Sequence, residues 1–121
     1  MMLESKKLLL LEDEPIIAML AEDLLGMLGA ADVRRAATLA EAEQCCDQQA
    51  FDAALFDVDL QGHSSLMLAE QVQRDGVRVI LASGYSHLTR DAADSFVVLA
   101  KPFTLPKLKA AFVEALDIVD D

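Results

Sequence analysis

The chain has 121 residues, enough for one domain that buries roughly two-thirds of its unfolded surface in a single core and too few for two. Apolar residues make up 54% and charged residues 26%, with five Gly and three Pro, a composition that excludes disordered and fibrous classes. Ten Lys+Arg against 21 Asp+Glu leave a formal net charge of −11, which opposes phosphate backbones and anionic lipid, so no nucleic acid and no membrane is expected as a partner.

Lys6 and Lys7 precede Leu8-Leu9-Leu10-Leu11, a run much shorter than the apolar stretch of a secretion signal and followed at once by acids. No segment approaches the roughly 18 apolar residues of a membrane helix. Leu8 to Leu11 therefore reads as a buried strand that stops at Glu12-Asp13-Glu14-Pro15. Pro15 suits a first helical position, acids favour a helix N-terminus, and Ile16, Ile17, Leu20, Leu24 and Leu28 form an apolar stripe ending near Gly29.

A weaker strand follows at Val33 to Ala37, after which Thr38-Leu39-Ala40-Glu41 has capping-box spacing and opens a helix to about Gln49. That helix carries Cys45 and Cys46, neighbours that suit neither a disulfide framework nor a zinc site. They point to a reducing compartment and a cytoplasmic location. Phe51 to Phe56 is a further apolar strand, stopped by Asp57. A loop around Gln61-Gly62-His63 leads to a helix near Ser65 to Arg74, and Val77 to Ala82 is a buried strand stopped by Ser83-Gly84-Tyr85. Ser86 to Asp94 has room only for a short fourth helix. Phe96 to Leu99 is the fifth strand, Lys101-Pro102 breaks it, and Thr104 caps a last helix with Leu105, Leu108, Phe112, Leu116 and Val119 at helical spacing.

Near-continuous apolar strands alternating with helices argue for an α/β fold, a doubly wound five-stranded parallel sheet with helices on both faces. Ligands of such sheets bind outside the carboxyl ends of the strands. The residues there are Glu12 and Asp13, Asp57, Ser83 and Lys101. Three carboxylates brought together would repel one another unless a divalent cation sat among them, and oxygen donors favour Mg²⁺ over zinc. A hydroxyl and an ammonium opposite complete a cradle for phosphoryl oxygens. Any of these acids taken singly is equally a helix N-cap. His63 and His87 read as solvated loop residues, and Asp117, Asp120 and Asp121 as a solvated end.

Taken in order, Leu8-Leu9-Leu10-Leu11-Glu12-Asp13-Glu14-Pro15, Asp57, Ser83-Gly84-Tyr85 and Lys101-Pro102-Phe103 resemble the receiver domain of two-component response regulators, over nearly the whole chain and in the single-domain, chemotaxis-regulator-like form. The resemblance implies a flavodoxin-like sheet of order 2-1-3-4-5 and one receiver domain over 1–121 with no output domain. It implies that Asp57 accepts a phosphoryl group from a sensor histidine kinase or histidine phosphotransfer protein and that the changed surface signals to a further protein. Asp13 would bind Mg²⁺ directly, Glu12 largely through water, and the backbone carbonyl of Asp59 would add a ligand. Ser83 and Lys101 would contact phosphoryl oxygens. Such a protein catalyses only its own phosphorylation and dephosphorylation, and is not an enzyme in the ordinary sense.

The chain departs from that family in four respects. Glu12 stands where Asp is commoner, Gln61 where Pro is usual, and Val98 where a switch aromatic is usual; the gap from Ser83 to Lys101 is also short by about one helical turn. The loop after Asp57 should therefore be less rigid, and output should pass through the segment from Ser83 to His87, with Tyr85 the large group to move. Two other readings stand beside this one. Asp57-Val58-Asp59 also matches the D-x-D pair of haloacid-dehalogenase-type phosphohydrolases, although the acid pair here precedes the nucleophile and no cap domain fits. A phosphorylation-independent interaction module on the same fold is the other.

Overall fold

The computed structural model describes residues 2–84 and 95–118. Tyr85, His87, the short helix expected over 86–94, Val119, Asp120 and Asp121 lie outside the described residues. The elements in chain order are β1 (Lys7–Leu11), α1 (Pro15–Met27), β2 (Asp32–Ala36), α2 (Leu39–Gln48), β3 (Ala53–Asp57), β4 (Asp59–Leu60), β5 (His63–Ser64), α3 (Leu66–Arg74), β6 (Arg78–Ser83), β7 (Val97–Ala100) and α4 (Leu105–Leu116). Five of the strands form one parallel sheet in the order β2-β1-β3-β6-β7, and β4 with β5 makes a separate antiparallel hairpin.

Alternation within the strands builds two cores. Leu8 and Leu10 of β1, with Leu55, Ile80 and Leu99, pack against Ala18, Ala21 and Leu25 of α1 and Leu108 and Phe112 of α4. Leu9 and Leu11, with Phe56, Val79 and Leu81, pack against Ala42 and Cys45 of α2 and Leu68 and Val72 of α3. A strand buried on both faces has no polar side to show, which is why these strands are unbroken apolar runs. The two caps expected from Thr38 and Thr104 are made: the amide of Glu41 donates to Thr38 Oγ1 at 3.1 Å and that of Lys107 to Thr104 Oγ1 at 3.5 Å.

Helix α1 differs from the stripe its apolar residues suggest. Its buried residues are Ala18, Ala21 and Leu25, while Ile16 is 74% exposed, Met19 59%, Leu20 58% and Met27 59%. The helix is apolar on almost every side, and the residues it sends into the core are two alanines and Leu25. Ile16, Met19, Leu20 and Met27 are left outward.

The loop after Asp57 also differs. The hairpin turn is Gln61-Gly62, with φ of 53° and 87°, the doubly positive combination a two-residue turn of type I′ requires. Proline, fixed near φ −65°, has no place there, so Gln61 is compatible with the turn where proline is not. Asp59 Oδ1 closes the hairpin by accepting from the Gly62 amide at 2.9 Å, and cross-strand pairing holds this segment in the absence of a proline.

Candidate functional site

The carboxyl ends of β1, β3, β6 and the chain just after β7 meet at one edge of the sheet. Glu12 is buried there; its amide donates to the Ala36 carbonyl at 3.0 Å, and Oε2 accepts from the Glu14 amide at 3.2 Å. Asp57, the last residue of β3, is buried. Lys101 follows β7 by one residue, and its amide donates to the Ser83 carbonyl at 2.9 Å, tying the end of β6 to the end of β7. The ammonium then reaches across the sheet edge: Nζ lies 2.8 Å from Glu12 Oε1 and 3.2 Å from Asp57 Oδ1.

Carboxylate oxygens of Glu12, Asp13 and Asp57 all lie within 4.8 Å of one another. Ser83 closes β6 and lines, with Asp57, Asp59 and Lys101, an open groove of about 1020 Å³. The structure thus brings together every side chain singled out at the strand ends. Asp59 is separate in one respect, because its carboxylate is turned to the hairpin turn.

Three acids and one ammonium leave this edge negative. Burial, opposed by the Lys101 charge and reinforced by that of Glu12, pushes the Asp57 carboxyl from its ordinary 3.8 up to about 6. Burial and the Glu12 carboxylate push Asp13 up as well. For Lys101 burial acts downward, but the hydrogen bond to Glu12 and the charges of Asp57 and Glu12 outweigh it, so the ammonium is held more firmly than usual. The donors are all hard oxygens, with no thiolate or imidazole among them. That set fits a divalent cation of the Mg²⁺ kind and not zinc.

Sequence reasoning did not single out Ser65. Its side chain is fully buried, and its hydroxyl donates to the main-chain carbonyl of Asp57 at 2.7 Å. The only signal was a pair of serines ahead of a helical run, which reads as a helix cap.

The profile of the response regulator receiver domain matches residues 8–113. This chain belongs to the receiver domain family. Among solved structures, SdrG from Sphingomonas melonis Fr1 is 34% identical, with 93% of this chain and 97% of that chain covered and a TM-score of 0.80. The receiver domain of the PhyR response regulator from Erythrobacter litoralis is 29% identical over 97% of this chain and 94% of that one, with a TM-score of 0.81. TrrA from Thermotoga maritima, solved in complex with Mg²⁺ and BeF, is 25% identical over 92% of this chain and 99% of that chain, with a TM-score of 0.80. No curated protein matches.

A receiver domain is a signalling domain and not an enzyme of the usual kind, and this one serves phosphoacceptor signalling in two-component systems. Receiver domains bind Mg²⁺ at an acidic pocket, and the cluster of Glu12, Asp13 and Asp57 is consistent with such a pocket. Among the described residues no helix is long and apolar enough to cross a membrane.

Proposed function

We propose that Asp57 is the phosphoacceptor of this receiver domain, that Glu12, Asp13, Asp57 and the backbone carbonyl of Asp59 hold Mg²⁺, and that Ser83 and Lys101 receive the phosphoryl oxygens. The observation that carries this is the contact of one ammonium with two of three carboxylates gathered within 4.8 Å. A carboxylate is a competent nucleophile toward phosphorus once its surroundings are positive enough to admit a dianionic group. When bound, Mg²⁺ supplies that charge. An oxygen of Asp57 then forms the new P–O bond while the P–N bond of the donor phosphohistidine breaks and the freed imidazole nitrogen keeps the electron pair and takes a proton. Lys101 stands beside the accepting oxygen and offers its hydrogens to the incoming group.

The partners we propose are a sensor histidine kinase or histidine phosphotransfer protein as donor and a separate protein as receiver of the signal, in the cytoplasm. The outward apolar face of α1 supports the donor half of this. Leu20 and Leu24 line the same groove as Asp57, so a protein resting on α1 would bring its histidine to the acids. A hydrolase of the D-x-D kind gains no support, because Asp59 uses its carboxylate on the Gly62 amide. Incubation with a small-molecule phosphodonor and Mg²⁺, followed by intact-mass measurement, tests the reading. An adduct of one phosphoryl group that disappears in Asp57→Asn supports it; an adduct that persists in Asp57→Asn, or none on the wild-type protein, overturns it.

A further inference from the structure

The geometry points to Ser65 as a positioning residue for the phosphoacceptor, acting through the main chain of Asp57; this rests on the reading of Asp57 given above. In a strand successive residues turn their N–H and C=O groups to opposite edges. Val58 faces β6, since its amide donates to the Ala82 carbonyl at 3.0 Å. The carbonyl of Asp57 therefore faces β1. The β1 ladder with β3 ends at Leu11 and Phe56, one residue too early to supply a donor. The Ser65 hydroxyl fills that place at 2.7 Å.

Every polar group of Ser65 is committed to this junction. Its amide donates to the Val58 carbonyl at 2.9 Å, and its own carbonyl accepts from Ala69 at 2.9 Å within α3. Ser65 occupies the N-cap position of α3 yet makes no side-chain cap. Ser64 does that work instead, its Oγ accepting from the Leu66 amide at 3.2 Å. A serine ahead of a helix ordinarily turns its oxygen to the helix amides; this one is turned back to the strand. The peptide units on both sides of Val58 are thereby fixed to the start of α3, and with them the direction in which Asp57 presents its carboxylate. In-line transfer depends on that direction, and small misplacements are costly.

The test compares Ser65→Ala, Ser65→Thr and Ser64→Ala with the wild-type chain. The readouts are the rate of adduct formation at saturating small-molecule phosphodonor, the Mg²⁺ dissociation constant and the thermal midpoint. Ser65→Ala should phosphorylate about tenfold or more slowly, Ser65→Thr should recover most of the rate by keeping a hydroxyl, and Ser64→Ala should lose stability without losing rate. If Ser65→Ala does not fold, Ser65→Cys, of similar size but a poor donor, carries the same expected loss. A wild-type rate in Ser65→Ala or Ser65→Cys, with the adduct still on Asp57, overturns the role of Ser65 alone. Equal slowing in Ser64→Ala overturns it too, since a loosened helix start would then suffice. An adduct elsewhere than Asp57 overturns the underlying reading instead.

Discussion

Lys101 Nζ stands 2.8 Å from Glu12 Oε1, although the two residues are 89 positions apart in the chain. The contact joins the end of β1 to the chain after β7, across β3 and β6. It also places the ammonium where it offsets two of the three acids of the pocket. Replacing Lys101 by Met should therefore leave those acids to the cation alone: Mg²⁺ should bind at least as tightly as to wild type, while adduct formation falls because the phosphoryl oxygens lose a partner. Mg²⁺ titration and labelling on the same samples check this; weaker Mg²⁺ binding would show that the ammonium organises the acids and does not merely neutralise them.

Asp57→Asn should raise stability in a pH-dependent way. The Asp57 carboxyl in the folded chain titrates near 6, above its ordinary 3.8, so the folded state favours the protonated form. That preference stabilises the wild type below about pH 4 and is lost as pH rises through 6. The asparagine carries no charge at any pH. Its stabilising effect in metal-free protein should accordingly be full above pH 6 and shrink toward zero near pH 4, as chemical denaturation at several pH values would show. A constant difference between pH 4 and 7 would mean that the site does not perturb Asp57.

Asp13→Ala should weaken Mg²⁺ binding at least about tenfold, the scale seen when even an outer partner of a bound metal is lost. The fold should be unharmed, because the Asp13 carboxyl is held above its ordinary range by burial and by Glu12, and removing it relieves both. Calorimetric Mg²⁺ titration with thermal melts in chelator would measure the two effects separately. A lower melting point in chelator would contradict the electrostatic account.

The hairpin after Asp57 makes a prediction opposite in sign to expectation from the family's usual proline. Gln61 sits at φ 53°, which proline cannot adopt, so Gln61→Pro should destabilise the chain by more than about 1 kcal/mol. Gly62→Ala should cost about 1 kcal/mol by forcing a side chain into the left-handed region, with no clash, since nothing lies within 4 Å of the added carbon. Denaturant midpoints decide both.

The parts of this molecule legible in its sequence were those where burial leaves a strong mark. Strands covered on both faces are uninterrupted apolar runs, so their stops at Glu12, Asp57, Ser83 and Lys101 stand out, and a parallel sheet brings such stops to one edge. The β4–β5 hairpin was not legible because two strands of two residues have no periodicity, and glutamine is an unusual first residue of a type I′ turn. The direction of the Ser65 hydroxyl was hidden for another reason: a serine before a helix fits capping equally well. In α1 the apolar residues outnumber what one face accommodates, and only packing decides that Ala18 and Ala21 go in while Ile16 and Leu20 stay out.

That outward face yields the last prediction. Large apolar side chains are exposed on α1 at Ile16, Met19, Leu20 and Met27, and Leu20 borders the groove that reaches Asp57. A cluster of this kind beside the proposed reaction centre fits a docking surface better than a solvated helix. A small phosphodonor needs no such surface, whereas the phosphohistidine protein proposed as donor must dock before its phosphorus reaches Asp57, the proposed phosphoacceptor. Met19→Ser with Leu20→Ser should therefore leave labelling by a small-molecule donor unchanged and slow transfer from a competent kinase or phosphotransfer protein by about tenfold or more, the loss typical of removing central contact residues. Because both side chains are mostly exposed, the melting point should hardly move. Parallel rate measurements with the two kinds of donor separate the possibilities: equal slowing with both would place these residues in the chemistry or the fold, and no slowing with either would show that the donor docks elsewhere.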